Sequence, residues 1–261
     1  MAHPYFLRVA YDGTDFYGWQ IQSTLPTVQG ALGQALRAFD PEAPSPQGTG
    51  RTDAGVHAEA QGVLVRTRKA WEPHRLLTAL NAHLPPTIRV MTAEVAPEDF
   101  LPRRDAVAKR YRYRVGEGPA AFPLDRAFRW HLFGKAPLDR EAMAEAAAHW
   151  VGTHDFSSFR NRECVADGPV RTLHALRLET HPRGLDLVFE GNAFLMHQVR
   201  IMSGTLVQVG QGKLRAAQAL EILAARRREA AGETAPPQGL CMERVWYAAK
   251  WGIGERSPWP E

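Results

Sequence analysis

Residues 109–115 read KRYRYRV, and their strict alternation decides what the middle of the chain must be. Successive side chains of a strand point to opposite faces, so Tyr111, Tyr113 and Val115 share one side and Arg110, Arg112 and Arg114 the other. A helix would scatter both sets around its axis. The stretch is therefore a strand with an apolar face for a core. Its cationic face is either solvated or set against phosphates, and a tyrosine beside such arginines suits an unstacked base.

Outward from this strand, shorter patterns fall into place. YFLRVAY (5–11), GVLVRTR (62–68) and TIRVMTAEV (87–95) read as strands, as do 170–180, 184–190 and the closing ERVWYAA. Thr27 is placed to cap a helix whose Val28, Leu32, Ala35, Leu36 and Phe39 recur at helical spacing before Pro41. Further helices are expected over 74–84, 138–150, 192–209 and 215–228, with a long polar loop over 153–169. Residues 229–239, EAAGETAPPQG, have linker composition and are expected to form a mobile surface loop. Strands and helices alternate in both halves, which predicts an α+β fold with helices packed on a largely antiparallel sheet. The second series begins near residue 105, dividing the chain into halves 1–104 and 105–261.

The 261 residues suffice for a substantial core, and no apolar run approaches membrane-spanning length. The amino terminus enters a strand pattern without a secretory signal, so a cytoplasmic protein is expected. Cys164 and Cys241 stand far apart with no CxxC pair, which indicates neither a disulfide framework nor a zinc site. A net charge of +4 favours a polyanionic partner without demanding one. Only five of the 32 basic residues are lysines, and the arginine fork suits phosphate contact.

Chemistry concentrates at residues 48–58, GTGRTDAGVHA, where Asp53 is the lone carboxylate. Four readings are open. The stretch is a tight turn with glycines at positive φ, or a phosphate cradle, although GxxxxGK[ST] spacing is absent and a carboxylate repels phosphate. Asp53 and His57 give two metal ligands where a site needs more. In the fourth reading Asp53 is a nucleophile or base, kept ionised by a cation such as Arg51. In the apolar segment FLMHQVRIMSGTLVQVG (194–210), Arg200 either snorkels or pairs with a buried carboxylate. YDGTDFYGWQ (11–20) adds four aromatic residues, for a core or for contact.

Taken in order, YDGTDFYGWQ, TVQGAL, GTGRTDAGVHA, KRYRYRV, DFSSFR, FLMHQVRIMSGTL and GLCMERVWY closely resemble the tRNA pseudouridine synthase A family. The chain departs at Phe100-Leu101-Pro102-Arg103, where the family commonly has F-x-A-R, and at Gln198, where methionine is frequent. The resemblance implies isomerisation of uridine to pseudouridine at positions 38, 39 and 40 of the tRNA anticodon arm, by a homodimer with neither cofactor nor metal. It implies two similarly built α/β halves sharing a central sheet. It further implies that Asp53 is catalytic, Arg200 its ion-pair partner, Tyr111 a stacking platform and Leu240 an apolar contact. Arg51 and Arg103 would contact the substrate. A non-catalytic tRNA-binding or tRNA-folding protein on the same scaffold is the alternative.

Overall fold

A computed structural model describes residues 2–134 and 136–259. By compactness the chain forms two units, one of residues 1–109 with 241–261 and the other of 110–240. The first unit is built on strands β1 (His3–Tyr11), β2 (Gln47–Gly48), β3 (His57–Thr67) and β4 (Ile88–Val95), with helices α1 (Val28–Arg37) and α2 (Pro73–His83). β1 lies antiparallel between β3 and β4, with Leu7 opposite Val63 and Ala93. Its alternate residues Leu7 and Val9 are wholly buried, as the period-two pattern requires. Thr27 caps α1 by accepting the Gly30 N–H at 3.2 Å, and the helix buries Val28, Leu32, Ala35 and Leu36.

Strand β5 (Ala106–Gly118) leads into the second unit, which holds β6 (Trp130–Phe133), β7 (Gly152–Asp155), β8 (Val170–His181) and β9 (Gly184–Gly191). Its sheet runs β5-β9-β8-β7, with β6 parallel on β5. Helices α3 (Arg140–Ala148), α4 (Gln198–Gly210) and α5 (Gln218–Ala225) belong to this unit. The last long strand, β10 (Leu240–Tyr247), returns the chain to the first unit. There Cys241 and Met242 pair in parallel with His57 and Ala58, and β11 (Glu255–Arg256) pairs with β10. Both units are thus α+β with mostly antiparallel pairing, the class read from the sequence.

The alternation of KRYRYRV appears as expected on the apolar side, where Tyr111, Tyr113 and Val115 are buried. The arginine side is neither bare nor simply solvated. Arg110 reaches Glu190 at 2.7 Å, and Arg112 reaches Asp186 at 3.2 Å and also Glu179. Arg177 bonds the same Glu190 from β8. Burial opposes ionisation of Glu190, yet hydrogen bonds from Arg177 and Arg110 outweigh it and hold this carboxyl below its ordinary range.

Three expectations change. The loop over 153–169 contains the edge strand β7 and a 3-10 turn at Ser157–Phe159. Helix α4 starts at 198 rather than 192, because Asn192 uses its side-chain oxygen to accept the Thr172 and Ala193 N–H groups and so holds a turn. Finally, 229–239 is packed, not loose. Ala235 is fully buried, its N–H donates to the Arg200 carbonyl at 3.1 Å, and Tyr113 donates to the Pro236 carbonyl at 2.7 Å. Small residues permit this close approach.

Candidate active site

The loop that carries Asp53 is held on its amino-terminal side by two buried hydroxyl pairs. Thr49 and Thr52 are buried, and each meets a buried tyrosine. Thr52 Oγ1 lies 2.8 Å from the Tyr11 hydroxyl. Thr49 Oγ1 donates to the Gly62 carbonyl at 3.0 Å, which leaves the Tyr247 hydroxyl as donor to that same Oγ1. Burial pushes the hydroxyls of Tyr11 and Tyr247 well above the usual phenol range, so both remain neutral. Between the pins Gly50 and Arg51 arch outward, with the Gly50 carbonyl accepting from buried Gln61 at 2.8 Å.

A second set of contacts clamps the loop against residues 12–19. The Trp19 N–H donates to the Thr52 carbonyl and the Gly55 N–H to the Phe16 carbonyl, both at 3.1 Å. His57 is buried, and its Nδ1 accepts the Gly13 N–H at 3.0 Å, with Asp12 Oδ1 3.2 Å from the same nitrogen. That role is structural, which weakens the reading of His57 as a metal ligand. The turn reading is correct in one respect: Gly55 has φ +75°, and Val56 N–H closes back on the Asp53 carbonyl at 3.2 Å. Asp53 itself, half-buried, sits at the head of this turn. Turn and reactive carboxylate are compatible, since the first fixes the second.

Arg51 and Arg103 are exposed, and among the described residues neither guanidinium meets a carboxylate. They line one cavity of the first unit, at its rim. The loop bearing Arg103 is fixed by Phe100, fully buried and edge-on to Phe6, Tyr247 and Trp251. Arg104 closes it with a fork on Asp105 at 2.7 and 2.8 Å.

The second unit holds the other three expected site residues. Tyr111 is 8% exposed and meets Phe194 edge-to-face at 5.2 Å. Arg200, on α4, donates its Nε–H to the Ala235 carbonyl at 2.8 Å. Leu240 is buried where β10 begins. At the start of α4, His197 adopts φ +62°, an uncommon conformation for a residue with a Cβ, and its Nδ1 accepts from Asn161 at 2.8 Å. Among the described residues no group of three or more His, Cys, Asp or Glu side chains is placed to hold a metal ion. No described helix is long and apolar enough to cross a membrane.

Several residues that build the site escaped the sequence reading. Tyr11, Thr49, Thr52 and Tyr247 form the pins, and Gln29 ties the 12–29 segment together by accepting from Gln20 and the Ile21 N–H and donating to Pro46. A polar amide on the buried side of α1 was the available signal for Gln29. For the tyrosines no local signal exists, because their partners lie 41 and 198 residues away.

Comparison with known proteins accounts for this arrangement. The sequence model of the family described as tRNA pseudouridine synthase matches residues 8–103 and 146–248. A protein of Myxococcus xanthus named tRNA pseudouridine synthase A is 44% identical over 242 residues, covering 92% of this chain and 91% of that one. Proteins of the same name from Bradyrhizobium diazoefficiens and Cereibacter sphaeroides are 43% and 44% identical, with coverage of 93% and 94% of this chain and 99% and 96% of theirs. Since the matched regions take in the pinned Asp53 loop, Arg103, Arg200 and the return strand, the chain belongs to the tRNA pseudouridine synthases, isomerases that act on tRNA.

Proposed function

We propose that this protein converts uridine to pseudouridine at positions 38, 39 and 40 of the tRNA anticodon arm, with Asp53 as the nucleophile. The observation that carries this reading is the fixing of the Asp53 loop. Two buried tyrosines and the 12–19 segment hold the Asp53 loop in place beside Arg51, which meets no carboxylate among the described residues. A loop that served only to turn the chain would need no such anchoring.

The reaction conserves atoms. The N1–C1′ bond breaks, the base turns while held, a C5–C1′ bond forms, the C5 proton leaves, and N1 takes up a proton. No oxidant, reductant or group donor is consumed, so a cofactor is not required by the balance. Asp53 acts as nucleophile on the substrate, helped by Arg200 as the cation that keeps it ionised. Tyr111 stacks on the target base, Leu240 packs against the nucleotide, and Arg51 and Arg103 hold the RNA backbone. In this reading 1–104 is the half that carries the nucleophile and 105–261 the half that completes the site, in a cytoplasmic homodimer. Extrusion of a paired base costs a few kcal/mol, which stacking and phosphate contacts offset.

The test is Asp53→Asn with tRNA tritiated at uridine C5. The variant is expected to bind tRNA with unchanged affinity and to release no tritium. Release at the wild-type rate would remove Asp53 from the reaction.

A further inference from the structure

The first unit contains a cavity of about 570 Å³ beside the Asp53 loop, in the range typical of small-molecule sites, and Asp53 does not line it. Its walls come from four places: Trp19 and Gln20 after β1, Gln29 on α1, Gln47, Gly48, Gly50 and Arg51 before Asp53, and Leu101 to Arg104. Every charged group on it is an arginine. Arg104 is engaged by Asp105, which leaves Arg51 and Arg103 as cations that meet no carboxylate among the described residues. Trp19, 2% exposed, is one of the lining residues.

Part of the remaining surface is apolar. Pro102 is buried, Leu101 has its N–H fixed on Asp105 Oδ2 at 2.8 Å, and Gly48 lies against the Trp19 ring. Gln20, Gln29 and Gln47 supply side-chain amides to the lining. A ligand matching these walls has a flat apolar body, acceptors on its edge and a negative charge at one end.

We propose that the cavity is a second nucleotide subsite, which takes the base and phosphate of one unpaired RNA nucleotide flanking the target uridine. Arg51 and Arg103 grip the phosphate. The Trp19 N–H and the glutamine amides meet the base edge, and Leu101 and Pro102 cover its face. The subsite deepens the synthase reading and rests on it, because it gives the RNA a second fixed point two residues from Asp53. Register along the strand then follows from which neighbour occupies the cavity.

The test uses anticodon stem-loop hairpins in which single nucleotides flanking the target are made abasic. For the wild type, one flanking position is expected to raise KM about tenfold with kcat within about twofold. Leu101→Trp, which fills the cavity, is expected to raise KM about tenfold on the intact hairpin, and the same abasic change then adds less than twofold. Arg103→Ala raises KM similarly and lowers the salt slope of log KM by about one. If Leu101→Trp misfolds, shown by a lowered Tm, Arg103→Ala decides by the same non-additivity, measured on the intact and the abasic hairpins. Unchanged KM in both variants, or fully additive effects at every abasic position, would overturn the subsite. Filter binding of the same hairpins separates the two readings. A wild type that forms no pseudouridine yet shows this non-additivity in Kd loses the synthase reading and keeps the subsite.

Discussion

At Gly18 the backbone has φ +84°, and a Cβ there would stand 2.5 Å from the Thr52 carbonyl oxygen, one residue before Asp53. Gly18→Ala therefore combines a strained backbone with a steric push on the loop, and about 2–3 kcal/mol of stability should be lost. Because that push acts on the segment bearing Asp53, kcat is expected to fall about tenfold or more while KM for tRNA changes little. Steady-state kinetics and thermal melts distinguish this from simple destabilisation. Thr52→Val tests the pin itself: loss of the hydroxyl removes the bond between Thr52 and the buried Tyr11 hydroxyl, at a cost of about 1–2 kcal/mol. Sequence made Asp53 legible, since a single acid among glycines beside an arginine invites a chemical explanation. It could not reveal Tyr11 or Tyr247, for a tyrosine in a strand looks the same whether its hydroxyl reaches solvent or a threonine.

Strand β5 illustrates what periodicity carries and what it omits. Period two sorts side chains by face but is silent about what the adjacent strand places opposite, so the acidic partners Glu190, Glu179 and Asp186 were invisible. Segment 229–239 failed for a related reason: alanine, glycine and proline are as suited to close packing on a helix as to a linker. The ion pairs have a measurable pH signature. Glu190 ionises more readily in the folded protein than at its ordinary value of 4.5, so its contribution is present above that pH and fades as pH falls below it. Glu190→Gln is expected to cost about 2–3 kcal/mol at pH 7, because two arginines lose their shared carboxylate. The gap between wild type and variant should shrink progressively below pH 4.5 in denaturant titrations. A gap independent of pH would show that packing, not charge, is what the variant loses.

On the scale of the whole molecule, the alternation of strands and helices was enough to read the fold class, and the ordered motifs were enough to read the family. The return of residues 241–261 to the first unit was not legible, because nothing local tells a closing strand which earlier strand it joins. Ending the chain after Leu240 removes β10 and with it the Tyr247 pin on Thr49. Such a truncation is expected to lose near-ultraviolet circular dichroism from the first unit and all tRNA isomerisation.

The Thr49 to Tyr247 bond spans 198 residues, and this separation fixes a sequence in time. Chains emerge from the ribosome amino terminus first, and a contact forms only when both ends are available. Asp53 leaves the exit tunnel early, but its loop gains the Tyr247 anchor only after a residue 198 positions beyond Thr49 has been made. A nascent chain that stops short of Tyr247 therefore carries Asp53 without this anchor.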